Sequence, residues 1–199
     1  MINEDLITKS TVKERGWTDS VIKKYIGEPD QYCRNPHYRC APPMQLFKLT
    51  RVEELEQLPE VAEALEKAAR RSELRRQIAQ KQSDKLLHHV ESLTIKVPSM
   101  TEEALIKKAC AHYNDLWAER GRFDKYASPS SSEEFLYRIS VNFLRHRMTN
   151  YERELDRIFG KVGCVEGRPL LKSRILDKIA EAYPMLKSEC KRQKRELLN

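Results

Sequence analysis

The stretch from Leu6 to Glu54 constrains this chain most, because helix starts and stops follow one another there too closely for any long element. Thr11, with Glu14 three residues on, has the form of a capping box for a first short helix. Gly16 stands where a helix-ending glycine belongs. Trp17 follows as a core anchor. Thr18 caps a second predicted helix, Asp19 to Ile26, and Gly27 ends it. Val21, Ile22 and Tyr25 give that helix an apolar face at helical spacing. Pro29, Pro36, Pro42 and Pro43 then mark a loop or short hairpin, with Arg34-Asn35-Pro36-His37 as its turn. A helix is expected from Met44 to Leu58, burying Leu46, Phe47, Leu49, Val52 and Leu55.

Further on, the pattern lengthens. Pro59 suits a first helical turn, and from Glu60 to about Leu93 a weakly apolar stripe (Val61, Leu65, Ala68, Ile78, Leu86, Val90, Leu93) predicts one long helix. Arg70, Arg71, Arg75 and Arg76 form a basic band at its centre. Ser92 to Pro98 is a break. Ser99 or Thr101 caps a helix running to about Arg120, and Gly121 to Ser132 is a loop. A helical region begins at Glu133, with Leu136, Ile139, Phe143, Tyr151, Leu155 and Ile158 inward, until Gly160 and Gly163 break it. Two last helices are predicted over Pro169 to Tyr183 and Pro184 to about Leu197. Six glycines and almost no alternating runs argue against an all-β chain. The expected class is mainly α: a small winged-helix-like module with a short β-hairpin over 1–58, a connecting helix over 59–97 and a helical bundle over 98–199.

Hydrophobic residues make up 40% of the 199 and charged residues 34%, which supports a modest core under a heavily solvated surface. The formal charge of +7 permits a nucleic-acid partner without demanding one. The basic excess is spread along the chain rather than gathered into a tail. Five scattered cysteines, no secretory leader and no apolar run of membrane-spanning length predict reduced thiols, a cytoplasmic location and no membrane partner. There is no phosphate-binding glycine loop, no G-x-S-x-G and no H-E-x-x-H, so no enzyme activity and no cofactor are expected.

Leu6-Ile7-Thr8-Lys9, the later Asn35-Pro36-His37, and Met44-Gln45-Leu46-Phe47 together resemble one family. It is the C-terminal half of the DNA-binding domain of xeroderma pigmentosum group A repair proteins. That module is similar in fold to the winged-helix domains of MerR-type regulators and phage excisionases. The resemblance covers about residues 4–70 and implies DNA contacts from a basic cleft beside the hairpin. Lys9, Ser10 and Lys13 match its first element, and His37 matches the family's histidine. Arg34 and Arg39 suit the same phosphate-facing task. Ala41 stands where the family bears a stacking tryptophan, which leaves Tyr38 as the nearest aromatic, and Gln45 stands in place of a lysine. The family's zinc module precedes the matching region, whereas only a few residues do so here. The expectation is therefore a plain duplex or junction binder.

The candidate DNA contacts are Lys9, Ser10, Lys13, Arg15, Lys23, Lys24, Arg34, His37, Tyr38 and Arg39, with Arg70, Arg71, Arg75 and Arg76 as a secondary band. The bland reading of each basic residue is a solvated face, and Glu63–Lys67 and Glu66–Arg70 would support a plain exposed helix. Cys33, His37 and Cys40 place three potential metal ligands in eight residues. Zinc wants a fourth ligand and often a C-x-x-C pair, so small-residue packing is the expected role. Arg138, Arg145, Arg147, Arg153 and Arg157, near Arg120 and Arg122, read as charge balance around Glu133, Glu134, Glu152, Glu154 and Asp156. The helical half is expected to dimerise or recruit a protein partner. An adaptor protein whose winged module is structural, or an RNA-binding accessory factor, would fit the same composition.

Overall fold

A computed structural model describes residues 5–35, 42–122 and 124–197. Helix accounts for 69% of the structure, beside one small three-stranded antiparallel sheet, so the fold is mainly α. No helix among the described residues is long and apolar enough to cross a membrane. The chain divides into two compact units, Met1–Ile78 and Ala79–Asn199.

The first unit opens with β1 (Leu6–Thr8) and α1 (Lys9–Glu14). Thr8, not Thr11, caps α1. Its extended backbone (φ −77°, ψ 159°) lets its hydroxyl accept the Thr11 N–H at 3.2 Å, so the predicted cap moves three residues upstream. Thr18 caps α2 (Asp19–Val21) as expected, accepting from the Val21 N–H, and α2 continues into a π-helical turn, Ile22–Ile26. Gly27 ends it at φ +75°, donating to the Ile22 carbonyl at 2.9 Å. β2 (Gln31–Cys33) and β3 (Met44–Lys48) form the hairpin.

Met44–Lys48 is therefore a strand, where the apolar pattern alone predicts a helix. It lies in the middle of the sheet, in the order β1-β3-β2. Ile7 pairs with Phe47 on one side and Tyr32 with Gln45 on the other. Ladder bonds on both edges and burial of Leu46 and Phe47 outweigh local helical spacing. Helix begins only at α3 (Leu49–Glu56), followed by α4 (Pro59–Ser92) with Pro59 at its first position. Val12, Trp17, Val21, Ile22, Ile26, Phe47 and Val52 close the core together with Val61 of α4.

The second unit uses the rest of α4 with α5 (Glu102–Glu119), α6 (Glu133–Phe143), α7 (Tyr151–Ile158), α8 (Cys164–Ala182) and α9 (Lys187–Arg195). Thr101 caps α5 by accepting the Ala104 N–H. Asn114 of α5 brackets Ala127, donating to its carbonyl at 3.0 Å and accepting its N–H at 2.7 Å, which fixes the loop before α6. A π-helical turn, Leu144–Met148, continues α6. Leu105, Leu144, Leu171, Ile175, Leu176, Ile179 and Leu186 are fully buried in one core.

α8 starts at Cys164, so Pro169 lies inside the helix rather than opening it. Gly163 sets this start. Its left-handed φ of +86° turns the chain, and a Cβ there would meet Ser83 Oγ at 2.5 Å. At the sixth position of α8, Pro169 removes the bond its N–H would have made to the Val165 carbonyl.

Candidate nucleic-acid interface

The N-terminal candidates separate by what their charges already hold. Lys9 and Lys13 both reach Asp19, at 3.0 and 2.7 Å, and bridge α1 to the start of α2. Hydrogen bonds from Lys13 and Lys9 hold the Asp19 carboxyl below its ordinary range. Arg15 is committed more firmly. Its Nε and Nη2 donate to Glu56 at 3.0 and 2.6 Å, and Glu53 stands 3.6 Å away. Trp17 Nε1 donates to the same Glu56 at 2.8 Å. Glu56 thus fastens the α1–α2 turn to the end of α3, and Arg15 is a structural clamp before it is anything else.

Ser10, Lys23 and Arg34 are exposed, and Lys23 and Arg34 form no ion pair among the described residues. Lys24 donates to the Tyr25 hydroxyl at 3.0 Å and lies 4.7 Å from that ring's centre. The hydrogen bond to Tyr25 raises the Lys24 ammonium above its usual value, so it stays charged. His37, Tyr38, Arg39 and Cys40 lie outside the described residues, and with them the wing contacts and most of the Cys33-His37-Cys40 metal set.

The secondary band divides in two. Arg70 pairs with Glu66 at 2.6 Å and Arg76 with Glu73 at 3.0 Å, both along α4 itself. Arg71 and Arg75 form no ion pair among the described residues, and both line a groove of about 440 Å³ in the N-terminal unit. One side of the groove comes from Thr18, Ser20, Val21, Lys24 and Tyr25. The other comes from α4, where Lys67, Arg71 and Arg75 recur every four residues, a rise of about 6 Å per step. Ala64, Ala68 and Ser72 form a parallel row of small side chains that leaves the groove open. Among the described residues, no carboxylate lines it. Lys67 is paired with Glu63 at 2.6 Å, as its spacing predicts, but Glu63 lies off the groove.

Four cations, three hydroxyls and a tyrosine facing one carboxylate-free channel can hold a chain of oxyanions. Lys24 and the arginine band stand far apart in the sequence, and the structure brings Lys24, Arg71 and Arg75 together. Lys67 and the hydroxyls of Thr18, Ser20 and Ser72 were missed. The i,i+4,i+8 spacing of Lys67, Arg71 and Arg75 was the available signal.

In the second unit, Arg153 and Arg157 converge on the buried Glu154, at 3.3 and 3.1 Å, so they balance charge. No protein-family model, curated protein or solved structure matches the chain.

Proposed function

We propose that the N-terminal unit is a winged-helix module that docks the chain, without catalysis, on duplex or junction DNA. The observation that carries this reading is the carboxylate-free groove of Lys24, Lys67, Arg71 and Arg75, in which Arg71 and Arg75 have no acidic partner among the described residues. Phosphates are the ligands that such a row of cations suits, because each contact releases a condensed counterion. The two-helix turn between β1 and β2, and the strand order β1-β3-β2, support the winged-helix reading. Ser20 lines the same groove and Lys23 is exposed on the continuation of α2, and in this reading both add contacts to the backbone. Contacts of this type position a protein and carry no sequence information, so specificity would come from DNA shape or a partner.

A second reading concerns the helical unit. Phe159, Val162 and Val165 are exposed around the turn between α7 and α8, which favours recruitment of a protein partner or self-association.

Fluorescence anisotropy of the full chain against labelled duplex DNA, forked DNA, single-stranded DNA and RNA, each at two salt concentrations, tests the DNA reading. Duplex or forked DNA should bind most tightly and weaken steeply with salt. Absence of binding at low salt, a preference for RNA, or unchanged affinity in a Lys24→Ala, Arg71→Ala, Arg75→Ala variant would each overturn it.

A further inference from the structure

The C-terminal unit holds a cleft of about 690 Å³ between α5 and α6. Its size falls within the range of small-molecule sites, roughly 300–1,000 Å³. Arg145 lines it while only 9% exposed. Every hydrogen bond this guanidinium makes goes to a neutral group: Gln193 Oε1 at 3.1 Å, Asn142 Oδ1 at 3.2 Å and His146 Nε2 at 3.1 and 2.7 Å. No carboxylate pairs with it among the described residues. A buried cation without a counter-charge is costly, and an anion entering the cleft would supply one.

Three more arginines, Arg120, Arg138 and Arg147, line the same cleft, against one carboxylate among the described residues, Glu152, which is itself engaged by His146. Four guanidinium groups against one carboxylate leave a formal excess of three positive charges, which suits a dianion better than a monocarboxylate. Arg145 belongs to the π-helical turn Leu144–Met148, a distortion that often marks functional positions.

Aromatic side chains share the lining with the arginines. Tyr113 and Trp117 lie with ring centres 6.1 Å apart, and His112 and Phe143 lie 5.6 Å apart. His112 makes no hydrogen bond among the described residues, and burial lowers its pKa, so it offers a neutral donor and acceptor. The Asn142 amide nitrogen adds a further donor.

We propose that this cleft binds a nucleoside monophosphate group, its phosphate between Arg145 and Arg147 and its base against the Tyr113–Trp117 wall. The group belongs either to a free nucleotide or to the 5′-phosphorylated end of a strand. Four of the five Arg145 N–H groups are engaged, so the phosphate takes the remaining Nη1 N–H together with Arg147, which makes no hydrogen bond or ion pair among the described residues, and a flat base stacks on aromatic faces while its edge takes hydrogen bonds. A phosphorylated phenol would use the arginines and leave the edge groups of His112 and Asn142 unused. No residue of this cleft lines the groove of Lys24 and Arg71, so the two sites stand or fall separately.

Isothermal titration calorimetry of the full chain with AMP, adenosine, inorganic phosphate and phosphotyrosine tests the proposal. A short oligonucleotide with a 5′-phosphate, and the same strand with a 5′-hydroxyl, distinguish the two sources. AMP or the 5′-phosphorylated strand should bind, and the matching form lacking either phosphate or base should bind at least about tenfold more weakly. Arg145→Gln should lower the affinity about tenfold or more, with the far-UV circular dichroism unchanged. If Arg145→Gln fails to fold, a Trp117→Leu, Arg147→Ala variant, altered only at the cleft's rim and wall, should show the same loss. Failure of both AMP and the 5′-phosphorylated strand to bind, equal or tighter binding of phosphotyrosine, or unchanged affinity in the folded variants would overturn it.

Discussion

Glu56 is the residue on which the N-terminal unit's geometry turns, and two substitutions separate its roles. Glu56→Ala removes the acceptor of Trp17 Nε1, whose side chain is 2% exposed, and both bonds from Arg15. A buried indole N–H left without a partner costs about 1–3 kcal/mol. The Arg15 pair is partly exposed, so solvent screening holds its contribution to roughly 0.2–1 kcal/mol. The variant should lose about 2–3 kcal/mol in all. Glu56→Gln keeps an uncharged acceptor for Trp17 and Arg15 Nε but puts an amide NH₂ where Oε2 accepted from Arg15 Nη2, so it gives up the charge and that one exposed bond and should lose about 0.5–1 kcal/mol. Urea unfolding, followed by Trp17 emission in a Trp117→Phe background, reads both values. A loss below about 0.5 kcal/mol for Glu56→Ala, or equal losses in the two variants, would refute the clamp. The same reasoning expects Arg15→Ala to lower stability while leaving the salt dependence of DNA binding unchanged.

Three further outcomes follow from particular packing and charge. Gly163→Ala combines a left-handed φ with a Cβ 2.5 Å from Ser83 Oγ and 2.9 Å from Ser83 Cα, and thermal unfolding should show a loss of about 2–4 kcal/mol. Burial pushes the Cys190 thiol up to about 12 and also raises Cys110, so mass-spectrometric mapping after thiol labelling at about pH 8 should find both unmodified until denaturant is added, while half-buried Cys33 and Cys164 react. For acid unfolding, the hydrogen bond from Arg15 lowers Glu56, and bonds from Arg192 and Gln193 lower Glu189 despite the opposing effect of its burial. Folded-state values below the unfolded ones make this stability fully present above about pH 5 and lost as pH falls, so urea midpoints should drop between about pH 5 and 3 and Glu56→Gln should flatten the drop.

The parts of the fold legible in the sequence are those fixed by local chemistry. Thr18, Gly27, Pro59 and Thr101 sit where caps and helix starts belong, and α4 and α5 follow from long helical spacing. Elements fixed by distant partners were not legible. Met44–Lys48 spaces its apolar residues like a helix and becomes a strand only because β1 and β2, far apart in sequence, both pair with it. Thr8 caps α1 because β1 ends there, which sequence order alone does not disclose. The candidate groove was half legible. Arg71 and Arg75 were visible as cations, but which of four neighbouring arginines keeps a free charge depends on Glu66 and Glu73 along the same helix. Arg145 read as one of a balanced set, and only the π-helical turn and its neutral partners distinguish it.

In the proposed docking, the groove of the N-terminal unit holds DNA phosphates. The most direct test is the log–log slope of duplex affinity against salt for the intact chain and for the Arg71→Ala, Arg75→Ala variant. Both residues are exposed on α4, so the variant should stay folded. Losing two phosphate contacts should make the slope shallower by about 1.8, at about 0.9 per contact. An unchanged slope in the folded variant would contradict the claim.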